Sequence, residues 1–367
     1  MTRAVVIAAR RSPVAPRGGA LAHLDPHEIA APVIRACLTD AGLGPDAVDE
    51  VIVGNALGAG GNPARVAALA AGLPLRVAGL SIDRQCCSGL DALRLAQAMI
   101  ESGQAEVVIA GGAESYSRRP IRMSAARSDA PPLEYDRPPF TPWPDRDPDM
   151  AEAAEALARH LGISREAQDV WTVASHARAT AARADLAAEI VGPGCDSYTR
   201  EMTARLCARA PVICGSVTRA NTAVAADAAA FCLVVPEERA RKLGLPYAAL
   251  LGGAVTGGDP MLPGLAPVAA IKNALTGLGL SPSDISTAEI MEAFAVQAIA
   301  CVDQAGLDAA TVNRKGGALA RGHPIGASGA ILAVRLFHDL RGTGGRGLAA
   351  IAAAGGIGTA VVMAAGG

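Results

Sequence analysis

Short apolar runs closed by glycine recur along this chain and alternate with amphipathic helical patterns. The runs predict buried strands at residues 4–9, 51–53, 107–110, 231–235, 248–251, 347–354 and 360–364. Between them, apolar residues at helical spacing predict helices at residues 27–41, 89–102, 267–278 and 327–340. Strands that alternate with helices need a sheet covered by those helices, so the sequence predicts an α/β protein.

The composition indicates how such layers pack and which partners to expect. The 367 residues suffice for about two domains. Apolar residues make up 51% of the chain and aromatic residues only 3%, so helices and sheet should approach closely through small side chains. The net charge of −2 gives no reason to propose nucleic acid or an anionic membrane as a partner.

Other segments bear on compartment and cofactors. The N-terminal apolar run is too short for a signal peptide, and no apolar stretch of membrane-spanning length is free of charge, proline or clustered glycine. None of the eight cysteines forms a C-x-x-C pair or a zinc-like Cys/His spacing, so we expect no metal and reduced thiols in the cytoplasm. Glycine-rich residues 342–347 lack the lysine of a phosphate loop and are interpreted as a turn.

A change of composition divides the chain. Residues 118–149 are rich in proline, arginine and aspartate without any period, which predicts an irregular, solvated segment. We expect helices at 150–161 and 165–187 to follow, so that 118–209 forms an inserted cap. The N-terminal half then comprises residues 1–117 and 210–244, and the C-terminal half residues 245–367. Each half contains a strand ending in paired glycines, which suggests a duplicated fold.

Cys86 is the thiol that we single out as a nucleophile. It precedes Ser88-Gly89 and an amphipathic run through Met99, which predicts a position at the N-terminus of a helix. Unpaired N–H groups and the helix dipole favour a thiolate at that position. The alternative is that Cys86 is one more small buried residue, which is our interpretation of its neighbour Cys87.

His323 is the candidate base, within Gly322-His323-Pro324-Ile325-Gly326-Ala327-Ser328-Gly329. The glycines around it reduce side-chain bulk, so that backbone and ligand can approach closely. This setting favours a positioned base over the alternative, a core histidine satisfied by backbone groups. A cysteine and a histidine in these settings predict nucleophilic thiol chemistry.

In this order and over nearly the full length of the chain, the motifs resemble those of the thiolase family. They are Arg11-Ser12-Pro13, Gly54-Asn55, Asn62-Pro63-Ala64-Arg65, Cys86-Cys87-Ser88-Gly89, Gly111-Gly112-Ala113-Glu114-Ser115, Glu292-Ala293-Phe294-Ala295 and residues 316–329. The resemblance implies two similar βαβαβαββ halves in a layered α/β/α/β/α arrangement with an inserted cap domain. It also implies a homodimer or homotetramer.

The resemblance implies a role for each matching residue. Cys86 is then the nucleophile that takes an acyl group from a coenzyme A thioester (or an acyl carrier), and His323 activates it. The backbone N–H groups of Cys86 and Ala354 would form the oxyanion hole of the acyl-enzyme. Coenzyme A is a substrate, and no bound cofactor is implied. Some arginines of the cap, residues 118–209, could meet its phosphates instead of forming only a solvated face. The substrate-binding residues are Met150 in the acyl pocket and Ala293 and Phe294 beside the pantetheine tunnel.

The chain departs from the family pattern where the second half of the reaction takes place. Ala352 replaces the cysteine that shuttles the α-proton, and Met291 replaces the asparagine that holds a water in the second oxyanion hole. A positioned acid or base contributes about 10²–10⁴-fold to the rate, and an oxyanion donor about 10²–10³-fold. On the coenzyme A side, Ala223 replaces a serine that contacts pantetheine, and Arg219 enters a region usually lined by small residues.

Three interpretations of the function are open at this point. The first is a thiolase-type acyl-CoA C-acyltransferase (thiolytic cleavage or Claisen condensation of 3-ketoacyl-CoA) with a substituted proton relay, for which Cys301, Glu292 or a bound water are candidates. The second is a thiolase-like enzyme that transfers or hydrolyses the acyl group, or condenses an activated nucleophile. The third is a non-catalytic binding subunit, and the retention of both Cys86 and His323 argues against it.

Overall fold

The computed structural model describes residues 2–126 and 129–366. The strands are β1 (Ala4–Arg11), β2 (Ala15–Pro16), β3 (Glu50–Gly54), β4 (Ala78–Ile82), β5 (Val108–Glu114), β6 (Val212–Cys214), β7 (Val217–Thr218), β8 (Ala226–Pro236), β9 (Tyr247–Gly257), β10 (Thr287–Ile290), β11 (Arg346–Ala353) and β12 (Ile357–Gly366). The helices are α1 (Pro26–Ala41), α2 (Pro63–Ala70), α3 (Ser88–Glu101), α4 (Met150–Leu161), α5 (Arg165–Ala181), α6 (Arg183–Ala187), α7 (Ala204–Ala208), α8 (Glu237–Leu243), α9 (Ala266–Gly277), α10 (Ala295–Ala305), α11 (Ala318–Arg321) and α12 (Ile325–Thr343). Over these residues, no helix combines the length and the apolar character needed to cross a bilayer.

The strands of the two halves form matching sheets that meet edge to edge. The strand order is β4-β3-β5-β8-β1 in the first half and β9-β12-β11-β10 in the second, with β1 and β9 antiparallel at the junction. Each half joins one parallel pair (β3 with β5, β10 with β11) to an antiparallel pair (β5 with β8, β11 with β12). The first half also has a parallel pair of β3 with β4. Its counterpart in the second half is a parallel bridge between Ala288 and Val312. The duplication suggested by the sequence is therefore present in the strand order.

Helices cover both faces of these sheets and also lie between them. One cluster of buried residues joins α1 and α2 to the outer face of the first sheet. A second joins α9 and α10 to the outer face of the second. The third contains residues of α3, α12 and both sheets, so these two helices form the central layer. The predicted α/β/α/β/α arrangement is confirmed.

We expected the paired glycines of the first half to end a strand, and this expectation is wrong. Gly111 and Gly112 lie inside β5. A Cβ on Gly112 would lie 2.2 Å from the carbonyl oxygen of Gly326 in the first turn of α12. The glycine lets the central helix contact the sheet, so here it allows close packing and does not form a turn.

The cap segment is attached to the core by buried ion pairs. The predicted helix at 165–187 is broken at Ala182 into α5 and α6. After α6, Glu189 accepts from Arg11 Nε at 2.6 Å and also pairs with Arg335. Asp196 pairs with Arg11 Nη1 at 2.7 Å. These side chains come from β1, the cap and α12, so the ion pairs connect three parts of the chain. The domain boundaries that we assigned stay a prediction.

Candidate active site

Cys86 is held in a tight turn between β4 and α3. Gln85, just before it, has a φ of 48°, which is unusual for a residue with a side chain. The Ser88 hydroxyl accepts from the backbone N–H of Arg84 at 2.7 Å and donates to the carbonyl of Gln85 at 2.7 Å. Helix α3 begins at Ser88 with Cys87 at the N-cap, so Cys86 lies just outside the helix. The turn directs the Cys86 thiol into a cavity, whereas Cys87 is fully buried in the core.

His323 comes from the other half of the chain, in the turn that joins α11 to α12. Its backbone N–H donates to the carbonyl of Val224 at 2.7 Å, which fixes the turn to the segment before β8. Its Nε2 lies 3.1 Å from Cys86 Sγ, and its Nδ1 lies 2.6 Å from the Oγ of Ser328. The two side chains that the sequence singled out are therefore in hydrogen-bonding contact.

A close approach of α3 and α12 brings the two side chains together. Gly89 lies in the first turn of α3, and a Cβ there would meet the backbone nitrogen of Ala330 at 2.7 Å and the oxygen of Gly326 at 2.8 Å. Any larger residue would push the two helix starts apart. Because Cys86 and His323 immediately precede these helices, the glycine contact sets their separation.

Burial fixes the protonation state of the pair. It raises the pKa of the Cys86 thiol to about 12 and lowers the pKa of the His323 imidazole to about 4. The resting pair is thus a neutral thiol that donates to a neutral imidazole at Nε2, with the ring proton on Nδ1 facing Ser328. Burial therefore opposes the resting thiolate that the helix dipole favours, and the ionisation of Cys86 at rest stays a prediction. A helix end contributes only about 0.3–1 kcal/mol, and desolvation of a buried thiolate costs more.

Glu114 accepts hydrogen bonds from groups on either side of the turn that contains His323. This fully buried carboxylate accepts from Asn55 Nδ2 at 2.7 Å, from the backbone N–H of Ala56 at 2.8 Å and from that of Gly326 at 3.0 Å. Burial raises its pKa to about 7 although these N–H groups lower it. The carboxylate therefore links the first half of the chain to the start of α12.

The cysteine and histidine lie in the wall of a cavity of about 650 Å³. The cavity also contacts α4, the turn before α9 and the end of β11. The predicted site residues in its wall are Cys86, Met150, Ala223, Ala293, Phe294, His323, Ala352 and Ala354. A thiol, a base and a cavity of this size are the parts needed for covalent chemistry on a small-molecule substrate.

Comparison with known proteins agrees with this geometry. The model of the thiolase N-terminal domain matches residues 4–238, and that of the thiolase C-terminal domain matches residues 245–365. The chain belongs to the thiolase family. A candidate acetyl-CoA C-acetyltransferase of Bacillus subtilis, YhfS, is 42% identical to it over 92% of each chain. The acetyl-CoA acetyltransferase of Cupriavidus necator is 38% identical over 96% of each chain.

A solved structure extends the likeness to the whole fold. The crystal structure of the Bacillus anthracis acetyl-CoA acetyltransferase superposes with a TM-score of 0.92 at 36% identity, covering 100% of this chain and 99% of the other. The protein is thus a thiolase-like acyltransferase.

Two of the predicted site residues of this thiolase lie outside the cavity wall. Met291 is 1% exposed and belongs to the central apolar core, and Arg219 is exposed on the surface. Met291 therefore fills a core position, and its side chain offers no hydrogen bond that could hold a water there. A role for Arg219 in binding coenzyme A stays a prediction.

Neither of the two side chains considered for a substitute proton relay lies in the cavity wall. Glu292 is 1% exposed, and its carboxylate accepts from Trp171 Nε1 at 3.0 Å, Ser175 Oγ at 2.8 Å and Asn313 Nδ2 at 2.8 Å. Cys301 is fully buried in α10, and burial raises its pKa to about 12. Since neither side chain lines the cavity that contains Cys86, their positions argue against a role in the relay. A bound water stays a prediction.

Several polar residues beyond the predicted site residues line the cavity. They include Arg119, Arg122 and Arg137 of the segment 118–149, which we interpreted mainly as a solvated face. Gln297 lies there too, in the first turn of α10. A glutamine in the first turn of a helix can bond back to the backbone before it, and here Gln297 Oε1 accepts from the N–H of Ala293.

Proposed function

We propose that this thiolase transfers an acyl group from an acyl-CoA through a covalent intermediate on Cys86. The observation that carries the proposal is the 3.1 Å contact between Cys86 Sγ and His323 Nε2 in the wall of a cavity of about 650 Å³. The names of the relatives, which are acetyl-CoA acetyltransferases, support an acyl-CoA as the donor.

The first half-reaction follows from the neutral pair. Nε2 takes the thiol proton while Sγ attacks the thioester carbonyl carbon, so that a C–S bond forms without a free thiolate at rest. Collapse of the tetrahedral intermediate breaks the bond to the sulfur of coenzyme A, which leaves with the proton held by the imidazolium. The backbone N–H groups of Cys86 and Ala354, which both line the cavity, would hold the oxyanion.

The second half-reaction favours an acceptor that needs no α-proton removal by the enzyme. Ala352 lies in the cavity wall, where its methyl group carries no acid or base. Suitable acceptors are then a thiol, an amine, a hydroxyl, water or an already activated carbon nucleophile. Claisen condensation and its reverse are the second candidate, favoured by the names of the relatives, and a bound water would have to carry the proton.

Intact-mass measurement tests the first half-reaction. The native protein is incubated with a series of acyl-CoAs from acetyl to octanoyl, and a mass increase of one acyl group is expected. The Cys86→Ala variant should lose the adduct. The matched control, Cys195→Ser, changes an exposed free thiol elsewhere and should keep it. An adduct that persists without Cys86 would refute the proposal.

Thiolysis separates the two candidates for the second half-reaction. Acetoacetyl-CoA and coenzyme A are supplied to the native protein and to Ala352→Cys. If the native protein does not cleave C–C bonds, Ala352→Cys should cleave acetoacetyl-CoA at a rate about 10²-fold or more above that of the native protein, because the acid/base is restored. Fast cleavage by the native protein would instead support the classical reaction.

We also propose that the protein is a homodimer or homotetramer in a reducing, cytoplasmic compartment. Strand β4 lies at the edge of the sheet, and apolar side chains around it are exposed, with Leu75 at 81% and Leu80 at 44%. An edge strand flanked by apolar surface favours association with a second copy. The eight cysteines are free thiols, which supports a reducing environment.

A further inference from the structure

Gln297 carries a buried amide nitrogen with no hydrogen-bond partner in the cavity wall. The residue lies in the first turn of α10 and is 3% exposed. Its Oε1 accepts from the backbone N–H of Ala293 at 3.3 Å, whereas its Nε2 has no partner among the described residues. A buried donor left unpaired is costly, so such an atom in a binding cavity indicates a missing acceptor.

The orientation of this amide is fixed by its surroundings. A flipped side chain would direct its NH₂ group at the N–H of Ala293, donor against donor, so the oxygen must face the backbone. A Cβ built on Gly264 would lie 3.3 Å from Gln297 Cγ and 2.7 Å from Leu157, which shows how closely the side chain is packed. The free N–H groups of Gln297 cannot turn away to bulk solvent.

Apolar residues of α4 and of the turn before α9 line the same cavity as Gln297. They are Met150, Ala153, Ala154, Leu157, Pro263 and Gly264. Thr222 Oγ1, beside the same backbone, is a second buried polar atom without a partner among the described residues. Thr222 bridges to Phe294, and Ala223 N–H donates to the carbonyl of Ala293 at 2.9 Å. Two unpaired polar atoms thus lie next to one dipeptide of the wall.

We propose that Gln297 selects acyl groups that carry a hydroxyl group on the chain. The hydroxyl oxygen of such a substrate accepts from Nε2, while the carbons around it contact the apolar residues of the wall. An unsubstituted alkyl chain would cover the amide without pairing it. The inference rests on the proposed function, because it concerns the acyl group delivered to Cys86.

The test compares acyl-CoAs that are matched in length. The rate constant kcat/KM for acylation of Cys86 is measured with butyryl-CoA and with 3-hydroxybutyryl- and 4-hydroxybutyryl-CoA, and with the corresponding hexanoyl series hydroxylated at each position. The native enzyme should prefer one hydroxylated member by about tenfold or more. The Gln297→Met variant keeps the shape without the donor, and its preference should fall below about threefold.

A second variant and a second measurement distinguish loss of the hydrogen-bond donor from misfolding of the variant. Gln297→Leu removes the donor with a side chain that cannot ionise, so it should lose the same preference. Alkylation of Cys86 by iodoacetamide, a small reagent, should stay unchanged in both variants. An unchanged ratio in the two variants, or no preference in the native enzyme at any position, would overturn the inference alone. Absence of any acyl adduct on Cys86 would overturn the proposed function and this inference together.

Discussion

The hydrogen bond between His323 and Ser328 makes a sharp prediction about the rate of acylation. Ser328 is 3% exposed, lies in the first turn of α12, and its Oγ is 2.6 Å from Nδ1 of the imidazole. Replacement by alanine removes the acceptor and leaves the Nδ1–H group unpaired in a buried site. Because Nε2 can accept the thiol proton only when the ring proton is on Nδ1, the Ser328→Ala change also removes the preference for that tautomer.

The expected magnitude follows from the protonation states of the pair. With pKa values of about 12 for Cys86 and about 4 for His323, the imidazolium exists only as the reaction proceeds. Its bond to Ser328 is then assisted by a charge, and loss of such a bond costs about 1.5–3 kcal/mol. This corresponds to a decrease of about 10–150-fold in kcat/KM for acylation, carried mainly by the rate constant of the chemical step and not by substrate affinity.

The assay is single-turnover acylation of Cys86, followed by rapid quench and intact mass. Ser328→Thr is the matched control because it keeps the hydroxyl while adding one methyl group, and it should lose far less activity than Ser328→Ala. Equal losses in the two variants would show that packing, and not the hydrogen bond, is responsible. A decrease of less than twofold in Ser328→Ala would refute the reasoning.

Three further predictions concern the thiol, the cap and the assembly. Alkylation of Cys86 should rise about tenfold per pH unit from pH 7 to 10, because its raised pKa makes the thiolate scarce; a flat profile from pH 5 to 8 would indicate an ion pair with His323 instead. Burial raises the pKa of Glu189, but Arg11 and Arg335 outweigh it and hold that pKa at about 2 against 4.5 unfolded. The ionised carboxylate therefore contributes about 3 kcal/mol of stability above pH 4.5, which is lost as the pH falls from 4.5 to 2. Glu189→Gln should cost at least that much in urea unfolding at pH 7, and a loss below about 1 kcal/mol would contradict it. Leu80→Asp should shift the native assembly towards monomer in light scattering, and an unchanged mass would place the interface elsewhere.

The sequence could predict the elements whose side chains follow a clear pattern. Strands β1, β8, β11 and β12 are apolar runs, and each was expected close to its observed place. Strand β10 was missed because a charged residue, Glu289, lies fully buried in its four residues. Its burial depends on Arg321 and Arg335, which come from distant segments. Burial raises the pKa of Glu289 to about 8 even with these arginines nearby, and no local pattern reveals such an environment.

The site was predictable only in part, for a similar reason. Cys86 and His323 could be paired through the family motifs, but their protonation states depend on how deeply the folded chain buries them. The helix dipole, which a sequence can suggest, is the weaker of the two effects on the thiol. The unpaired amide of Gln297 is likewise a property of the packed wall. The sequence cannot show that Gln297 Nε2 has no partner among the described residues, because that depends on how the folded chain packs around it.

The neutral Cys86–His323 pair and the loss of an acid/base at Ala352 both favour acyl transfer to sulfur over removal of an α-proton. Acyl transfer to sulfur moves one proton over the 3.1 Å between Sγ and Nε2, and every group that it needs is in the cavity wall or hydrogen-bonded to it. Removal of an α-proton needs a second base near the acyl group, and Ala352 offers none. Glu292 and Cys301 lie in the protein interior and do not line the cavity, so neither supplies that base in this geometry. The residues of this cavity therefore act at two points, the thioester carbon through Cys86 and the substituent on the acyl chain through Gln297.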